Sequence, residues 1–192
     1  TVRDIRKKYN PLVLRFFLLS AHYRSPINFT KDALDQAQSA LERINNCYAD
    51  LKFAVENRKP CGRDSALAEA VEKASLGYRE AMDDDFNTAG ALGCVFDVVR
   101  AVNVHLTENE GFCEEGIKAA RVFLEKVNSV FGFFSEEKSE GSDEEIEALL
   151  AERTEARKNK NFKRSDEIRD MLAAKGIIIE DTPQGTRWKR QI

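Results

Sequence analysis

The sequence is poor in the residues from which metal sites and disulfide frameworks are built. Its four cysteines lie at positions 47, 61, 94 and 113, without a CxxC spacing and without a neighbouring histidine. The two histidines, His22 and His105, are far apart along the chain. This pattern disfavours zinc coordination and indicates reduced thiols in a cytoplasmic protein. We expect each histidine to be a structural or surface residue.

The sequence also lacks the signatures of membrane insertion, secretion and common catalytic sites. No run approaches the roughly 20 apolar residues of a membrane span, and no signal peptide is present. There is no phosphate-binding glycine loop and no Ser/His/Asp set. The acidic triplet at residues 83–85 is compatible with a cation, but a cluster that complements the positive end of the next helix explains it better. We therefore expect no catalytic, cofactor-binding or metal-binding residues here.

Charge is segregated along the chain, although the formal net charge is only −3. Residues 1–24 hold six basic residues against Asp4, and residues 156–169 hold six basic residues against two acidic ones. Between them, residues 135–155 hold nine acidic and two basic residues. An acidic isoelectric point argues against a non-specific polyanion binder, whereas two separate basic segments still permit a docked RNA.

The apolar pattern predicts a mainly α protein whose larger part is an antiparallel helical bundle. Residues 1–28 form a basic helical stretch that Pro26 should end at the preceding residue. From a Thr30 N-cap, apolar residues three and four apart predict a long helix that ends near Pro60. Three further amphipathic stretches, the first capped by Asp64, complete four helices with short connections.

A small α+β unit is predicted to follow the bundle. Residues 135–145 are acidic and poor in apolar side chains, which favours a linker. Two helices are expected at about 143–158 and 162–175, and Gly176 should end the second. With fewer than about 50 residues, this unit is expected to depend on the bundle for stability.

The last residues predict a β-hairpin, which is nearly the only strand signal in the chain. Ile177–Ile179 is a β-branched run, and an alternating TRWKR segment follows the turn residues Pro183 and Gly185. These turn residues favour a hairpin. It carries Arg187 and Lys189 beside Trp188, a combination suited to an anionic, planar partner.

The segment EARKNKNFKRSDEIRD, residues 155–170, is the strongest candidate for binding. Arginine can fork onto phosphate or a base edge, Phe162 offers a stacking face, and Asp166 can accept from a base N–H group. Five basic residues surround Phe162 in the sequence: Arg157, Lys158, Lys160, Lys163 and Arg164. Composition alone explains the segment equally well as a solvated helix with charge pairs four residues apart.

Four segments together resemble the C-terminal half of bacterial-type cysteinyl-tRNA synthetases. They are LRFFLLSAHYRSPINF (14–29), MDDDFNTAGAL (82–92), ARKNKNFKRSDEIRDML (156–172) and GIIIEDTPQGTRWKR (176–190). The matches occur in family order and span nearly the whole chain. The resemblance implies a stem-contact segment at 1–29, a DALR-type tRNA-binding helical bundle at 30–134, an acidic linker at 135–145 and an anticodon-binding domain at 146–192.

The resemblance also explains a start at Thr1 without a methionine, since it places the chain after the signature ATP loop of the family. ATP and zinc are then implied only for a longer parent that attaches cysteine to its tRNA. We expect this chain to be an inactive piece of that ligase, cytoplasmic and monomeric, with cysteine tRNA and the upstream catalytic domain as partners and no membrane contact.

By the same resemblance, the anticodon-binding residues are expected to be Arg157, Phe162, Asp166, Arg169, Asp181, Arg187 and Trp188. Phe162 would stack on an anticodon base, and Asp166 and Asp181 would accept hydrogen bonds from base N–H groups. Arg157 would contact a base edge or the backbone, and Arg169 would orient Asp166 or touch phosphate. Trp188 is equally compatible with a contact and with a core position. Four residues of the first segment, Arg15, His22, Tyr23 and Arg24, would face the inner side of the tRNA.

Two alternatives to anticodon reading stay open at this point. One is the related ligase that joins cysteine to an amino-sugar inositol; it lacks an anticodon domain by resemblance, so the C-terminal EDTPQGTRWKR segment argues against it. The other is a helical interaction module without an RNA role, whose basic helix docks an acidic protein.

Overall fold

The computed structural model describes residues 2–60, 65–109, 111–134, 142–182 and 185–190. These residues form eight helices and two strands, so the protein is mainly α, as predicted. The chain divides into two compact units, Thr1–Phe134 and Ser135–Gln191.

The first unit opens with two short helices instead of one long basic stretch. α1 spans Val2–Ile5 and α2 spans Pro11–Leu19. The break falls at Asn10, whose side-chain oxygen accepts from the backbone N–H of Leu12 at 2.9 Å, and Pro11 then occupies the first turn, where its missing N–H costs nothing. The prediction that Pro26 ends this helix is wrong. α2 already ends at Leu19, where Ser20 bonds back to carbonyls of the last turn.

Four long helices form the body of the first unit: α3 Lys31–Asn57, α4 Ser65–Asp83, α5 Thr88–Glu108 and α6 Glu114–Phe131. Thr30 caps α3 as predicted, through a 3.1 Å hydrogen bond from the N–H of Ala33. The cap expected at Asp64 lies outside the described residues. α3 and α5 end at the same end of the bundle, because Arg58 donates to the carbonyls of Leu106 and Asn109. Successive helices therefore alternate in direction, as an antiparallel bundle requires.

The four helices and α2 share one hydrophobic core. Its fully buried side chains include Leu41, Ile44, Val95 and Leu124. His105 is buried as well, and its Nε2 accepts from the backbone N–H of Cys113 at 3.0 Å, which is the structural role expected for it. α5 is long and apolar enough to satisfy the length and composition test for a membrane span, which the sequence did not predict. Seven of its residues are buried inside the unit, as in the core helix of a bundle.

The acidic triplet does not cap α5. That helix begins after Asn87, whose side-chain oxygen accepts from the N–H of Gly90 at 2.9 Å. Asp85 instead accepts from the hydroxyl of Tyr23 at 2.8 Å and pairs with Arg24 at 3.0 Å. The hydrogen-bonded cap of α5 is thus Asn87, and the expected charge complement of the triplet to the helix end stays a prediction.

The second unit has its own small core. α7 spans Ser142–Lys158, α8 spans Phe162–Ala174, and the antiparallel strands β1 and β2 span Ile177–Thr182 and Gly185–Arg190. Residues 183–184 of the turn predicted at Pro183–Gly185 lie outside the described residues, as do residues 135–141 of the predicted linker. α7 begins inside the remainder of that linker, at Ser142. The core consists of buried side chains from both helices and β1: Ile146, Leu150, Ile168, Leu172 and Ile177.

Candidate nucleic-acid interface

The corner between α7 and α8 is built by a left-handed lysine. Lys160 has a φ of 57°, a region that glycine usually occupies. Its N–H donates to the carbonyl of Arg157, and the N–H of Asn161 donates to that of Ala156, at 3.1 and 2.8 Å. This pairing is a Schellman motif, which ends α7 sharply. Asn161 then caps α8 by accepting from the N–H of Arg164 at 3.2 Å.

Three of the predicted site residues lie along one exposed face of α8. Phe162 is the first residue of the helix and 62% exposed, and Asp166 and Arg169 are exposed as well. At about 100° per residue, their spacing places all three within an arc of about 60°. The buried residues of the helix, Ser165, Ile168 and Leu172, define its other face. The structure therefore brings together a stacking ring, an acceptor carboxylate and a guanidinium, which we call the α8 stripe.

Asp181 lies at the centre of a charged cluster that links β1 to α7. Arg153 forks onto its carboxylate, with Nη1–Oδ1 and Nη2–Oδ2 distances of 2.8 Å each. Arg157, one helical turn later, donates through Nη1 to Oδ2. Thr186, the register partner of Asp181 on β2, donates its hydroxyl to Oδ1 at 3.0 Å. We call Arg153, Arg157, Asp181 and Thr186 the Asp181 cluster.

The cluster fills the hydrogen-bonding capacity of Asp181. Four donors reach a carboxylate that offers about four acceptor positions. The hydrogen bonds from Arg153, followed by those from Thr186 and Arg157, hold the pKa of Asp181 well below its ordinary value despite partial desolvation. The carboxylate is therefore charged at neutral pH, and a base N–H could bond to it only by displacing one of these donors.

The basic residues around Phe162 differ in what they contact. Arg164 pairs with Glu152 on α7 at 2.8 Å and with Glu167 at 3.2 Å, so its charge is used inside the unit. Lys158, Lys160 and Lys163 are exposed and have no salt-bridge partner within the described part of this unit. The solvated-helix interpretation thus fits Arg164, while the three lysines leave a basic surface beside Phe162.

Of the two predicted site residues on β2, Trp188 packs against the small core, and Arg187 is placed by its backbone alone. Trp188 is partly buried, pairs in register with Ile179, and packs against the small core. β2 carries Arg187 in its backbone register opposite Glu180, and the side chains of both lie outside the description. The predicted aromatic face of the hairpin is accordingly turned at least partly to the inside of the unit.

Arg153 is the residue that the sequence analysis missed. Its side chain is 7% exposed, and its Nε is buried without a hydrogen-bond partner among the residues that the structure describes. The signal was available in part, because Arg153 and Arg157 are four residues apart in an otherwise acidic helix. Their shared partner is 28 residues away from Arg153 in sequence, and no local pattern reveals it.

The basic and aromatic residues predicted in the first segment contact other residues of the first unit. Arg15 donates to the carbonyl of Gly132 at 2.9 Å. The ring of His22 stacks on the ring of Tyr23. The guanidinium of Arg24 lies over the Tyr23 ring and also pairs with Asp85. Among the described residues, no group of three or more His, Cys, Asp or Glu side chains is placed to hold a metal ion.

Comparison with known proteins gives matches for both units. A family model described as "DALR domain" matches residues 77–135, and one described as "Cysteinyl-tRNA ligase anticodon binding domain" matches residues 139–188. The chain is 48% identical over 191 residues to a cysteine–tRNA ligase of Lysinibacillus sphaericus, with 98% of the chain and 41% of that protein covered. It is 46% identical to a cysteine–tRNA ligase of Oceanobacillus iheyensis over 98% of the chain and 40% of that protein.

A cysteine–tRNA ligase of Lactobacillus gasseri is 44% identical over 99% of the chain, again with 40% of the relative covered. The chain thus spans about two fifths of the length of these curated relatives. The two matched domains follow one another in the order expected from the sequence. The chain belongs to the cysteine–tRNA ligase family and corresponds to its C-terminal region, with a DALR domain and an anticodon-binding domain.

Proposed function

We propose that the second unit reads the anticodon of cysteine tRNA through the α8 stripe and the neighbouring Arg157. The observation that carries this proposal is the side-by-side exposure of Phe162, Asp166 and Arg169 on one helix face. Anticodon bases are unpaired and can be splayed outward, so a protein recognises them by stacking and by bonds to their edges. The stripe supplies a group for each of these interactions.

Each residue has a distinct role in the proposal. Phe162 stacks on one base, and Asp166 accepts from a base N–H group, which no basic residue can do. Arg157 and Arg169 donate to a base edge or to phosphate. Lys158, Lys160 and Lys163 attract the backbone without regard to sequence. Arg187 adds a further basic contact, and Trp188 acts mainly by holding the hairpin to the core.

Asp181 enters the proposal in a changed role. Its four acceptor positions are filled from within the unit, so it serves first to hold Arg157. It accepts from a base only if Arg157 moves from the carboxylate to the RNA. An arginine already aligned by a carboxylate loses less freedom when it forms a contact.

We further propose the same domain limits that the sequence suggested. Residues 1–29 contact the tRNA stem, residues 30–134 are the tRNA-binding bundle, residues 135–145 link the domains, and residues 146–192 bind the anticodon. The complete ligase is then a cytoplasmic monomer that uses ATP to attach cysteine to its tRNA. In it, the helices of the bundle serve as a spacer and take no part in the chemistry.

The test is a comparison of two RNAs with the 192-residue chain. Fluorescence anisotropy would measure the Kd for the anticodon stem-loop of cysteine tRNA, with GCA at the anticodon, and for the same stem-loop with all three anticodon bases changed. We expect tighter binding of the first RNA, by at least about tenfold, because each base contact is worth roughly 1–3 kcal/mol. Equal binding would remove anticodon reading, and binding of neither RNA at low salt would favour the interaction module.

A further inference from the structure

We infer that Arg153 is a positioning residue of the anticodon-reading surface: from inside the second unit it fixes Asp181, and through Asp181 it fixes the orientation of Arg157. This inference rests on the proposed function. It assigns a task to a residue that lies beneath the surface and that RNA does not touch.

The burial of Arg153 needs an explanation that stability does not supply. Its side chain is 7% exposed, and one of its guanidinium nitrogens, Nε, has no hydrogen-bond partner in the described part of the chain. Moving a charge out of water costs several kcal/mol, and apolar replacements of buried ion pairs are often neutral or stabilising. Stability alone therefore does not require that these two positions carry a charged pair. The guanidinium provides something else, which is a fixed orientation of the Asp181 carboxylate.

The geometry of the Arg153–Asp181 pair sets this orientation. Two parallel N–H···O bonds fix both the position of the Asp181 carboxylate and its rotation. Thr186 holds the same carboxylate from β2. The remaining position on Oδ2 then points at Nη1 of Arg157, whose side chain is 48% exposed. Within the described residues, this is the only hydrogen bond of the Arg157 side chain, so its other N–H groups are available to RNA.

Arg153 thus aligns residues that come from α7 and β1. It bonds to Asp181 directly, and Asp181 in turn accepts from Arg157.

The experiment measures selectivity, defined as the ratio of Kd values for the changed and the cysteine anticodon stem-loops. R153K keeps the charge but loses the fork, and we expect it to lower selectivity at least about fivefold, the smallest effect of a good bidentate contact. Binding of the changed stem-loop should stay within about twofold, because the net charge is preserved. R164K is the matched control, since Arg164 also pairs across to α7 but has no part in the Arg153–Asp181–Arg157 contacts. The selectivity of the R164K variant should be unchanged.

The outcomes separate the inference from the proposed function. If the wild-type chain does not discriminate between the RNAs, the proposed function fails. The positioning role is overturned if the wild type discriminates and a folded R153K discriminates equally well. It is also overturned if R164K loses as much selectivity as R153K. Thermal unfolding of each variant, followed by circular dichroism, establishes that it is folded.

A second measurement needs no variant of Arg153. In ¹⁵N NMR spectra of the wild-type chain, the forked pair should slow rotation of the Arg153 guanidinium and give resolved Nη signals. We expect these signals to persist when the cysteine anticodon stem-loop is added. Their collapse on binding would show that the pair breaks in the complex, and it would overturn the inference even if R153K failed to fold.

Discussion

Replacement of Phe162 by alanine isolates the stacking contribution to RNA binding. The ring begins α8 and is 62% exposed, and it belongs neither to the small core nor to the residues packed against it. Alanine is the best helix former and suits the first turn. The substitution therefore removes a π-face from the surface and leaves the interior of the unit as it was.

The expected magnitude follows from these facts. Exposed substitutions outside special features change folding stability by no more than about 0.5 kcal/mol. Loss of one base–aromatic stack costs about 1–3 kcal/mol, which corresponds to a rise in Kd of about 5- to 150-fold. The two quantities differ enough that a pure stacking role predicts nearly unchanged thermal unfolding together with a clear loss of affinity.

The assay is anisotropy with the cysteine anticodon stem-loop at fixed, low salt, combined with thermal unfolding of the same samples. M171A is the matched control: Met171 is an exposed apolar residue of α8, 43% exposed, and lies about 180° around the helix from Phe162. F162W should bind at least as tightly as the wild type, since indole offers a larger stacking face. A loss below about twofold in a folded F162A, or an equal loss in M171A, would refute the stacking role.

The remaining predictions concern charge and backbone. D166A should weaken binding of the cysteine stem-loop more than that of the changed one, since it removes an acceptor for a base; parallel losses would contradict this. K158A should weaken both RNAs alike and reduce the slope of log Kd against log salt by about one, because it removes one phosphate contact. The pKa of Asp181 is lowered on folding, so its pairs stabilise the unit above the ordinary pKa of 3.8 and are lost as pH falls through the folded-state value. The wild type should accordingly lose more unfolding free energy than D181N in acid titrations below about pH 4, and equal losses would show that the pairs do not form. K160G should raise the unfolding free energy of the second unit by about 1 kcal/mol in denaturant titrations, since glycine relieves a left-handed φ of 57°; no gain would show that the lysine is unstrained.

Local patterns predicted the helices well because the same spacing that defines an apolar face also decides what is buried. In α3, the apolar residues that recur three and four apart include Leu34, Leu41 and Ile44, and all three are buried. The caps at Thr30 and the end of α8 near Gly176 follow from single-residue preferences. These features depend on neighbours within one or two helical turns, so a sequence is sufficient to predict them.

Features that depend on distant partners were missed or misjudged. The acidic triplet was assigned to a helix cap, whereas Asp85 pairs with Tyr23 and Arg24 from a segment 61 or more residues away. Arg153 gave no signal of burial, because arginine is rarely buried without a partner and its partner lies on another element. Charge patterns constrain which residues can pair, but only the fold determines which of them do.

The different roles proposed for Trp188 and Phe162 follow from the small size of the second unit. Among the described residues of the second unit, the small core holds five buried hydrophobic side chains, which provide little apolar area to stabilise it, and Trp188 packs against that core from β2. A ring used in this way cannot turn outward to stack on a base without exposing the core. In the proposed function, stacking therefore falls to Phe162, which the core does not need. The charged residues follow the same logic in that proposal: Arg153, the buried one, orients its neighbours, and Arg157, its exposed counterpart one turn away, contacts the RNA.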